Sequence, residues 1–338
     1  MFNVWIILII SAFIISYASV KYTIKLNILD IPNKRKIHTN PTPKAGGLGI
    51  FISAVMLIFI ADMFIIDIEI NYILFIILSA IMLFVGLYDD INEMRPRFKL
   101  GWQIIAAIAT VLFGFTLNLT PYVLINAILT VIWIIGFVNA FNLIDGMDGL
   151  AIGVFIICML GYAYLLIGSD WISVIFILLG SSLAFLKYNY KPAEIFLGDT
   201  GSLYLGYILA FFAVIYTQNI DVSFSMFVNN IIVIGLILFV PIFDTTLSII
   251  RRKINNRPLF RPDRSHFYNL LEDDLGLSTI QTVNTIYIIN IITVLISILI
   301  INFNIQIQLV VGAGFVLIVI FTIKKLDFLK IDDTAENI

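Results

Sequence analysis

The segment YILFIILSAIMLFVGLYDD (residues 72–90) is a run of apolar side chains that ends in two adjacent aspartates. About 17 to 25 apolar residues are what a helix needs to cross ~30 Å of hydrocarbon. About eleven such segments recur along the chain, near 4–20, 46–66, 72–88, 100–118, 121–138, 149–168, 171–187, 197–216, 229–250, 280–301 and 306–323. The composition agrees, since 61% of the residues are hydrophobic and 12% are charged. We therefore predict an all-α polytopic membrane protein with one integral membrane domain over residues 1–338.

The charges of the loops predict the orientation. With eleven spans, all 20 Lys and Arg residues fall in loops on one side of the membrane. The opposite loops carry only acids, which are Asp62, Asp67, Glu69, Asp170 and Asp221. Because cytoplasmic loops are enriched in cations, we expect the N-terminus outside and the C-terminus in the cytoplasm. The expected location is the cell (plasma) membrane, and we expect no nucleic-acid partner.

Polar residues cluster at the predicted cytoplasmic ends of the helices. The clusters are residues 31–49, 89–99, 139–150, 196–206 and 241–271. A transporter, the non-enzymatic alternative, is expected to place ionisable groups along a path near the middle of the membrane. Five polar clusters on one face of one bundle instead predict a single site at that face.

The acidic pair Asp89-Asp90 lies at the end of the segment quoted first. Adjacent residues of a helix point about 100° apart. The two carboxylates therefore cannot both face one ligand squarely, and we expect them to have different roles. The alternative interpretation is that the two acids have no functional role and only form a solvated helix end, near the cations Lys99 and two arginines.

The cluster NAFNLIDGMDGL (residues 139–150) aligns amide and carboxyl side chains. Asn139, Asn142 and Asp145 recur at i, i+3 and i+6 and would form one stripe on a helix, with Asp148 three residues later. A helix cap explains one such aspartate but not four aligned polar groups. We interpret this cluster as part of a binding site.

The cluster FLGDTGSLYLG (residues 196–206) places Asp199 between two glycines at the start of an apolar helix. An N-terminal cap is one interpretation, because Asp is a favoured cap. The other is a ligand of Mg²⁺, which takes one or two carboxylates and completes its octahedron with water and phosphate oxygens. Mn²⁺ is the alternative ion.

The last cluster joins an acid to a basic loop. Asp244 in PIFDTT has either a structural hydrogen-bonding role or a place in the site. The following loop, which contains Arg264 and His266, supplies arginines of the kind that bind phosphate oxygens through a planar fork. In the first cluster, Lys44 precedes two glycines and is suited to an anionic lipid head group.

Together the clusters offer carboxylates for a cation and a base, cations for phosphates and apolar walls for a lipid. That combination fits phosphoryl transfer, in which a protein mainly positions reactants and stabilises charge. The motifs GLYDD, NAFNLIDGMDGL, FLGDTGSLYLG, PIFDTT and RPDRSH, in this order, resemble the polyprenyl-phosphate N-acetylhexosamine-1-phosphate transferases. That family includes the undecaprenyl-phosphate GlcNAc-1-phosphate transferases and the phospho-MurNAc-pentapeptide transferase of peptidoglycan synthesis.

The resemblance implies a reaction and a set of roles. A UDP-N-acetylhexosamine and a polyprenyl phosphate would give a polyprenyl-diphosphate-sugar and UMP, with Mg²⁺, and a homodimer is left open. Asp89 and Asp90 match the paired acids, one of which acts as base or nucleophile, and Asp199 matches the metal ligand. Asn139, Asn142, Asp145 and Asp148 match residues of the nucleotide-sugar and metal site, in which Asn142 is expected to be the second metal ligand. Arg264 and His266 match the loop that holds the sugar diphosphate. Lys44 and Lys99 are expected to attract the anionic substrates.

One departure favours the GlcNAc-1-phosphate branch. After His266 the chain has Tyr268 and Asn269 where many relatives have further histidines. The peptidoglycan branch has consecutive histidines there, and it lacks the eleventh helix. A different UDP-amino sugar is the alternative substrate.

An intramembrane aspartyl protease is the rival enzyme class. Its second catalytic motif would need a Gly at the position of Phe196.

Overall fold

The protein is described by a computed structural model that covers residues 2–31, 41–64, 69–218, 223–258 and 266–329. Its helices are α1 (Phe2–Lys25), α2 (Gly47–Asp62), α3 (Ile70–Asn92), α4 (Pro96–Leu112), α5 (Val123–Leu143), α6 (Leu150–Leu165), α7 (Ile172–Asn189), α8 (Gly198–Gln218), α9 (Phe224–Ile237), α10 (Phe239–Ile254), α11 (Phe267–Asp273), α12 (Thr279–Ile300) and α13 (Ile305–Lys325). Two short strands, β1 (Leu29–Asp30) and β2 (Thr42–Pro43), pair antiparallel. The predicted all-α class is confirmed.

The helices fall into two compact units. The first, Met1–Ser223, contains α1 to α8, and the second, Phe224–Ile338, contains α9 to α13. The single domain expected over the whole chain stays a prediction.

Seven helices of the described residues are long and apolar enough to cross a membrane. They are α1, α3, α5, α7, α8, α12 and α13, and the bent pair α9–α10 is an eighth candidate. Each of the eleven predicted segments contains a helix, but α2 and α6 have only 16 residues each, and α4 has 17 and is not among these candidates. The chain is a multi-pass membrane protein, while the count of eleven crossings and the orientation stay predictions.

The predicted segment 229–250 consists of two helices. The axes of α9 and α10 differ by 87°, and the break falls at Leu238. The cause lies in Pro241, which has no N–H group and whose ring clashes with the carbonyl of the residue four positions earlier, Ile237. The helix therefore cannot continue straight through this proline.

Helix α8 lies at the centre of the first unit. All its side chains from Thr200 to Thr217 are buried, and it packs against α2, α3, α5 and α6. A helix that is apolar on every side is expected to be enclosed by others. Its polar groups find partners inside, as where the Tyr207 hydroxyl lies 2.9 Å from Thr110 Oγ1.

The first turn of α8 is approached closely by α3 and by the β2 segment. A side chain at Gly86 of α3 would overlap the carbonyl of Asp199, so the two backbones touch. The N–H of Phe196 donates to Pro43 O at 2.8 Å, and the N–H of Gly46 donates to Phe196 O at 3.0 Å. These bonds bring the loop that carries Lys44 to the beginning of α8.

Candidate active site

The side chain of Lys99 joins two of the predicted acids. Its Nζ atom lies 2.5 Å from Asp89 Oδ2 and 3.1 Å from Asp199 Oδ2. The turn between α3 and α4 makes this possible, since Glu93 adopts a left-handed φ of 48° and the N–H of Met94 donates to Asp89 Oδ1. An ammonium group between two carboxylates shows that this position suits a cation.

Asn142 connects α5 to the same carboxylate. Its Nδ2 atom donates to Asp199 Oδ1 at 2.5 Å and to Ser202 Oγ at 2.6 Å. The side chains come from the end of α5 and from the first turns of α8, two helices that pack together. Asn142 and Asp199, both predicted to bind the metal, are thus neighbours.

Asp145 is a further acid close to this group. It lies in the turn after α5 and is surrounded by protein, although part of its surface remains accessible. Burial, and then the charges of Asp199, Asp90 and Asp148, raise the pKa of Asp145 to about 8. An acid with this pKa is mostly protonated at neutral pH, and a cation bound nearby would favour its ionised form.

Asp90 faces different partners from Asp89, as expected for adjacent helical residues. Its Oδ2 atom accepts hydrogen bonds from the N–H of Thr200 at 2.9 Å and from the Thr200 hydroxyl at 2.6 Å. Its Oδ1 atom accepts from the N–H of Asp199 at 3.2 Å, and Lys44 Nζ lies 3.8 Å away. Asp90 thus binds the start of α8, while Asp89 binds Lys99.

The predicted stripe through residues 139–148 does not form. Helix α5 ends at Leu143, so Asp145 and Asp148 lie in the turn that follows and leave the helical register. The Asp148 carboxylate accepts from the N–H of Ala193 at 3.1 Å and so holds the neighbouring loop.

Asn139 forms a paired contact between α4 and α5. Its Nδ2 atom donates to Gln103 Oε1 at 2.7 Å, and Gln103 Nε2 donates back to Asn139 Oδ1 at 3.2 Å. The structure therefore places the amide of Asn139 in a contact between helices and not on the carboxylates. Its predicted role in substrate binding stays a prediction.

In the second unit, Asp244 and His266 form a buried pair. Asp244 Oδ2 lies 2.8 Å from His266 Nδ1, and Asp244 Oδ1 accepts from the N–H of Phe267 at 2.6 Å. The ring of Tyr268 stacks on that of His266 with centroids 5.5 Å apart. Asp244 thus has the hydrogen-bonding role that was one of its two interpretations. Arg264 lies outside the described residues.

Sequence reasoning missed three uncharged residues that hold the site together, namely Gln103, Thr200 and Ser202. Each is buried, and each bonds to a predicted site residue. A polar side chain inside an apolar helix is the available signal, and for Thr200 and Ser202 so is their position directly after Asp199.

The donor atoms fit a hard cation such as Mg²⁺. Within the described ranges, no group of three or more His, Cys, Asp or Glu residues could hold a metal ion. Mg²⁺ needs only one or two carboxylates when water and substrate phosphates complete its shell. The Asp199 carboxylate and the Asn142 amide, with Asp89 beside them, are the residues that would hold it. Mg²⁺ binding itself stays a prediction.

Comparisons with known proteins place these residues in a known family. The profile of glycosyl transferase family 4 matches residues 72–217. A Bacillus subtilis protein named probable undecaprenyl-phosphate N-acetylglucosaminyl 1-phosphate transferase is 34% identical over 304 residues, which cover 84% of this chain and 82% of the relative. The chain belongs to glycosyl transferase family 4. A Thermotoga maritima protein named undecaprenyl-phosphate alpha-N-acetylglucosaminyl 1-phosphate transferase is 31% identical over 79% of this chain and 80% of its own length.

The family match covers most of the candidate site of this transferase. Residues 72–217 include every predicted site residue except Lys44, Arg264 and His266. A phospho-N-acetylmuramoyl-pentapeptide-transferase from Streptococcus pneumoniae is 35% identical, but over only 50% of this chain and 58% of its own. The longer matches are thus to relatives named for GlcNAc-1-phosphate transfer, in agreement with the branch predicted from Tyr268 and Asn269.

Proposed function

We propose that the protein transfers GlcNAc-1-phosphate from UDP-GlcNAc to undecaprenyl phosphate, giving undecaprenyl-diphosphate-GlcNAc and UMP. The observation that carries the proposal is the Asp89–Lys99–Asp199 arrangement in a member of this family. Two relatives that align over about four-fifths of the chain carry this lipid and this sugar phosphate in their names. The product is the lipid-linked first intermediate of a cell-envelope glycan.

In the proposed reaction, Asp89 acts as the base. Its carboxylate takes the proton from the phosphate of the lipid, whose second pKa is near 6. The freed phosphate oxygen attacks the phosphorus that bears the sugar, and the bond from that phosphorus to the bridging oxygen breaks. UMP leaves with that oxygen. Direct displacement by the lipid accounts for every atom, and a covalent phosphate on Asp89 is the alternative.

The other residues of the first unit hold charge in place. Lys99 lies between the two carboxylates and is positioned to move toward a phosphate oxygen as the substrates bind. When bound, Mg²⁺ would neutralise charge on the diphosphate. Asp199 and Asn142 would hold it, and Lys44 would face the lipid phosphate. For the UDP-sugar we propose Asp145 as a further contact, and the role of His266 in substrate binding stays a prediction.

We propose that the protein resides in the plasma membrane with its site on the cytoplasmic face. The support is the charge of the loops, because all 20 cations fall on the side predicted to carry the site. A water-soluble nucleotide sugar and a membrane lipid can meet only at such a surface. A homodimer stays a prediction.

The test is UMP release by the purified protein in detergent. UDP-GlcNAc is supplied with and without undecaprenyl phosphate and Mg²⁺, for the wild type, Asp199→Asn and Asp170→Asn. Asp170 is a matched acid whose neighbour Trp171 packs on Phe211, toward the other end of α8. Release should need both additions, fall at least about 100-fold in Asp199→Asn and persist in Asp170→Asn.

Two other results would change the proposal. Release only from another UDP-amino sugar would replace the donor and keep the reaction. If a folded protein released no UMP from any UDP-amino sugar, the proposal would be contradicted and the transporter alternative would be favoured. Labelled phosphate trapped on the protein from UDP-GlcNAc without lipid would establish the covalent route.

A further inference from the structure

We propose that Asp90 is a positioning residue, which fixes the first turn of α8 and through it the Asp199 carboxylate. The inference deepens the proposed function and rests on it. It assigns the two adjacent acids to separate tasks, with Asp89 facing the reacting groups and Asp90 facing protein backbone.

The contacts of Asp90 are those of a helix cap supplied by another helix. The first four N–H groups of a helix lack partners within it. The N–H groups of Asp199 and Thr200 are two of these, and Asp90 accepts hydrogen bonds from both, at 3.2 and 2.9 Å. The Thr200 hydroxyl adds a third bond at 2.6 Å. A negative charge at this position also interacts favourably with the helix dipole.

The surrounding backbone prevents Asp90 from turning toward a substrate. Its side chain is buried, with 8% of the residue exposed. Gly198 has a φ of +71°, and a Cβ atom there would lie 2.5 Å from Asp90 Oδ2. Gly86, one turn before Asp90, touches the Asp199 carbonyl. Three of the roughly four acceptor positions of the carboxylate are already used by hydrogen bonds from α8, which makes Asp90 less available than Asp89 to accept a proton from the substrate.

The position of Asp90 therefore controls where the Asp199 carboxylate lies. Asp199 is the second residue of α8, so any shift of the first turn moves its side chain away from Lys99 and Asn142. A metal ligand must be held within a fraction of an ångström. Loss of the cap should therefore weaken metal binding more than it changes the chemical step.

Two substitutions separate these effects. Asp90→Asn keeps the shape but puts an amide N–H₂ where one oxygen accepted, so at least one α8 N–H loses its partner. Thr200→Val removes only the hydroxyl bond, and Thr200→Ser retains it as the matched control. Loss of a hydrogen bond to a charged group corresponds to about a tenfold change in an equilibrium.

The experiment is a titration of Mn²⁺ followed by electron paramagnetic resonance, together with UMP release against Mg²⁺ concentration. We expect about tenfold weaker Mn²⁺ binding in Asp90→Asn and in Thr200→Val, and wild-type binding in Thr200→Ser. At saturating Mg²⁺, kcat of Asp90→Asn should stay within about tenfold of wild type. Asp89→Asn should lose at least about 100-fold in kcat at every Mg²⁺ concentration.

The inference is overturned if Asp90→Asn loses kcat as Asp89→Asn does while its Mn²⁺ affinity is unchanged. If Asp90→Asn does not fold, the Thr200 pair decides, and equal Mn²⁺ binding by the Val and Ser variants overturns the inference. Absence of Mn²⁺ binding by the wild type also overturns it. Failure of the proposed function is a separate result, because it appears as no UMP release by a wild-type protein that still binds Mn²⁺.

Discussion

Replacing Lys99 with methionine should destabilise the protein in the absence of divalent cations. The variant keeps the length of the side chain but removes the ammonium group that lies 2.5 Å from Asp89 Oδ2 and 3.1 Å from Asp199 Oδ2. Removal of one partner from a buried ion pair costs about 3–5 kcal/mol. The Asp199 side chain retains 29% of its exposure, so solvent screens part of the charge and the lower value, about 3 kcal/mol, applies.

The assay is thermal unfolding in detergent with EDTA, followed by intrinsic fluorescence. A change of 1 kcal/mol shifts the unfolding temperature of a large domain by at least ~2 °C, which gives a decrease of about 6 °C. Lys44→Met is the matched control. Its ammonium lies 3.8 Å from Asp90 Oδ1, and the Asp90 carboxylate keeps its three hydrogen bonds from α8 when the ammonium is removed, so we expect a loss of less than about 1 kcal/mol. The control should therefore change the unfolding temperature by less than about 2 °C.

Addition of Mg²⁺ distinguishes a specific effect from a general loss of packing. If the carboxylates bind a cation, Mg²⁺ should raise the unfolding temperature more in Lys99→Met than in the wild type, because it no longer competes with the ammonium. Equal losses in Lys99→Met and Lys44→Met, or an equal response of wild type and Lys99→Met to Mg²⁺, would refute the reasoning.

Three further predictions concern single sites. The pKa of Asp145 in the folded protein is about 8, above its ordinary value of 3.8, so its contribution to stability is greatest below pH 3.8 and is lost as the pH rises through about 8. The unfolding temperature of the wild type should fall over this range, and that of Asp145→Asn should fall less. Gly86→Ala should lower the yield of folded protein, because the new methyl overlaps a carbonyl of α8, whereas Gly101→Ala, with no atom within 4 Å, should express like wild type. Asp244→Ala leaves the buried His266 without its 2.8 Å partner and should lower the unfolding temperature by several degrees, while Asp244→Asn, which keeps an acceptor, should lower it less.

Much of the site could be predicted because charge in an apolar chain is a strong signal. Carboxylates are costly in hydrocarbon, so acids at helix ends mark the places where chemistry or ligands compensate that cost. This reasoning identified Asp89 and Asp199, which the structure joins through Lys99. It also separated Asp89 from Asp90, because the 100° step of a helix is independent of what surrounds it.

The partners of these acids could not be predicted, because they depend on which helices pack together. The bond from Thr200 to Asp90 connects residues 110 positions apart. The number of crossings also depends on how the helices pack. An apolar segment predicts a helix but does not decide whether its 16 residues cross the membrane, as α2 and α6 illustrate. The break before Pro241 was accessible from the sequence, since a proline interrupts a helix wherever it lies.

The geometry explains why the acids gather at the first turn of α8 and not within the bundle. Unpaired N–H groups at a helix N-terminus stabilise negative charge without any counter-ion. The Asp90 carboxylate accepts hydrogen bonds from two of these N–H groups, which stabilises its charge. The carboxylate of Asp199 can therefore lie close to that of Asp90. The three carboxylates of Asp89, Asp90 and Asp199 share two lysine ammonium groups, those of Lys99 and Lys44, so their charge is only partly offset. A site that is incompletely neutralised in the free protein is one in which a cation and a phosphate can enter together, because each reduces the cost of binding the other.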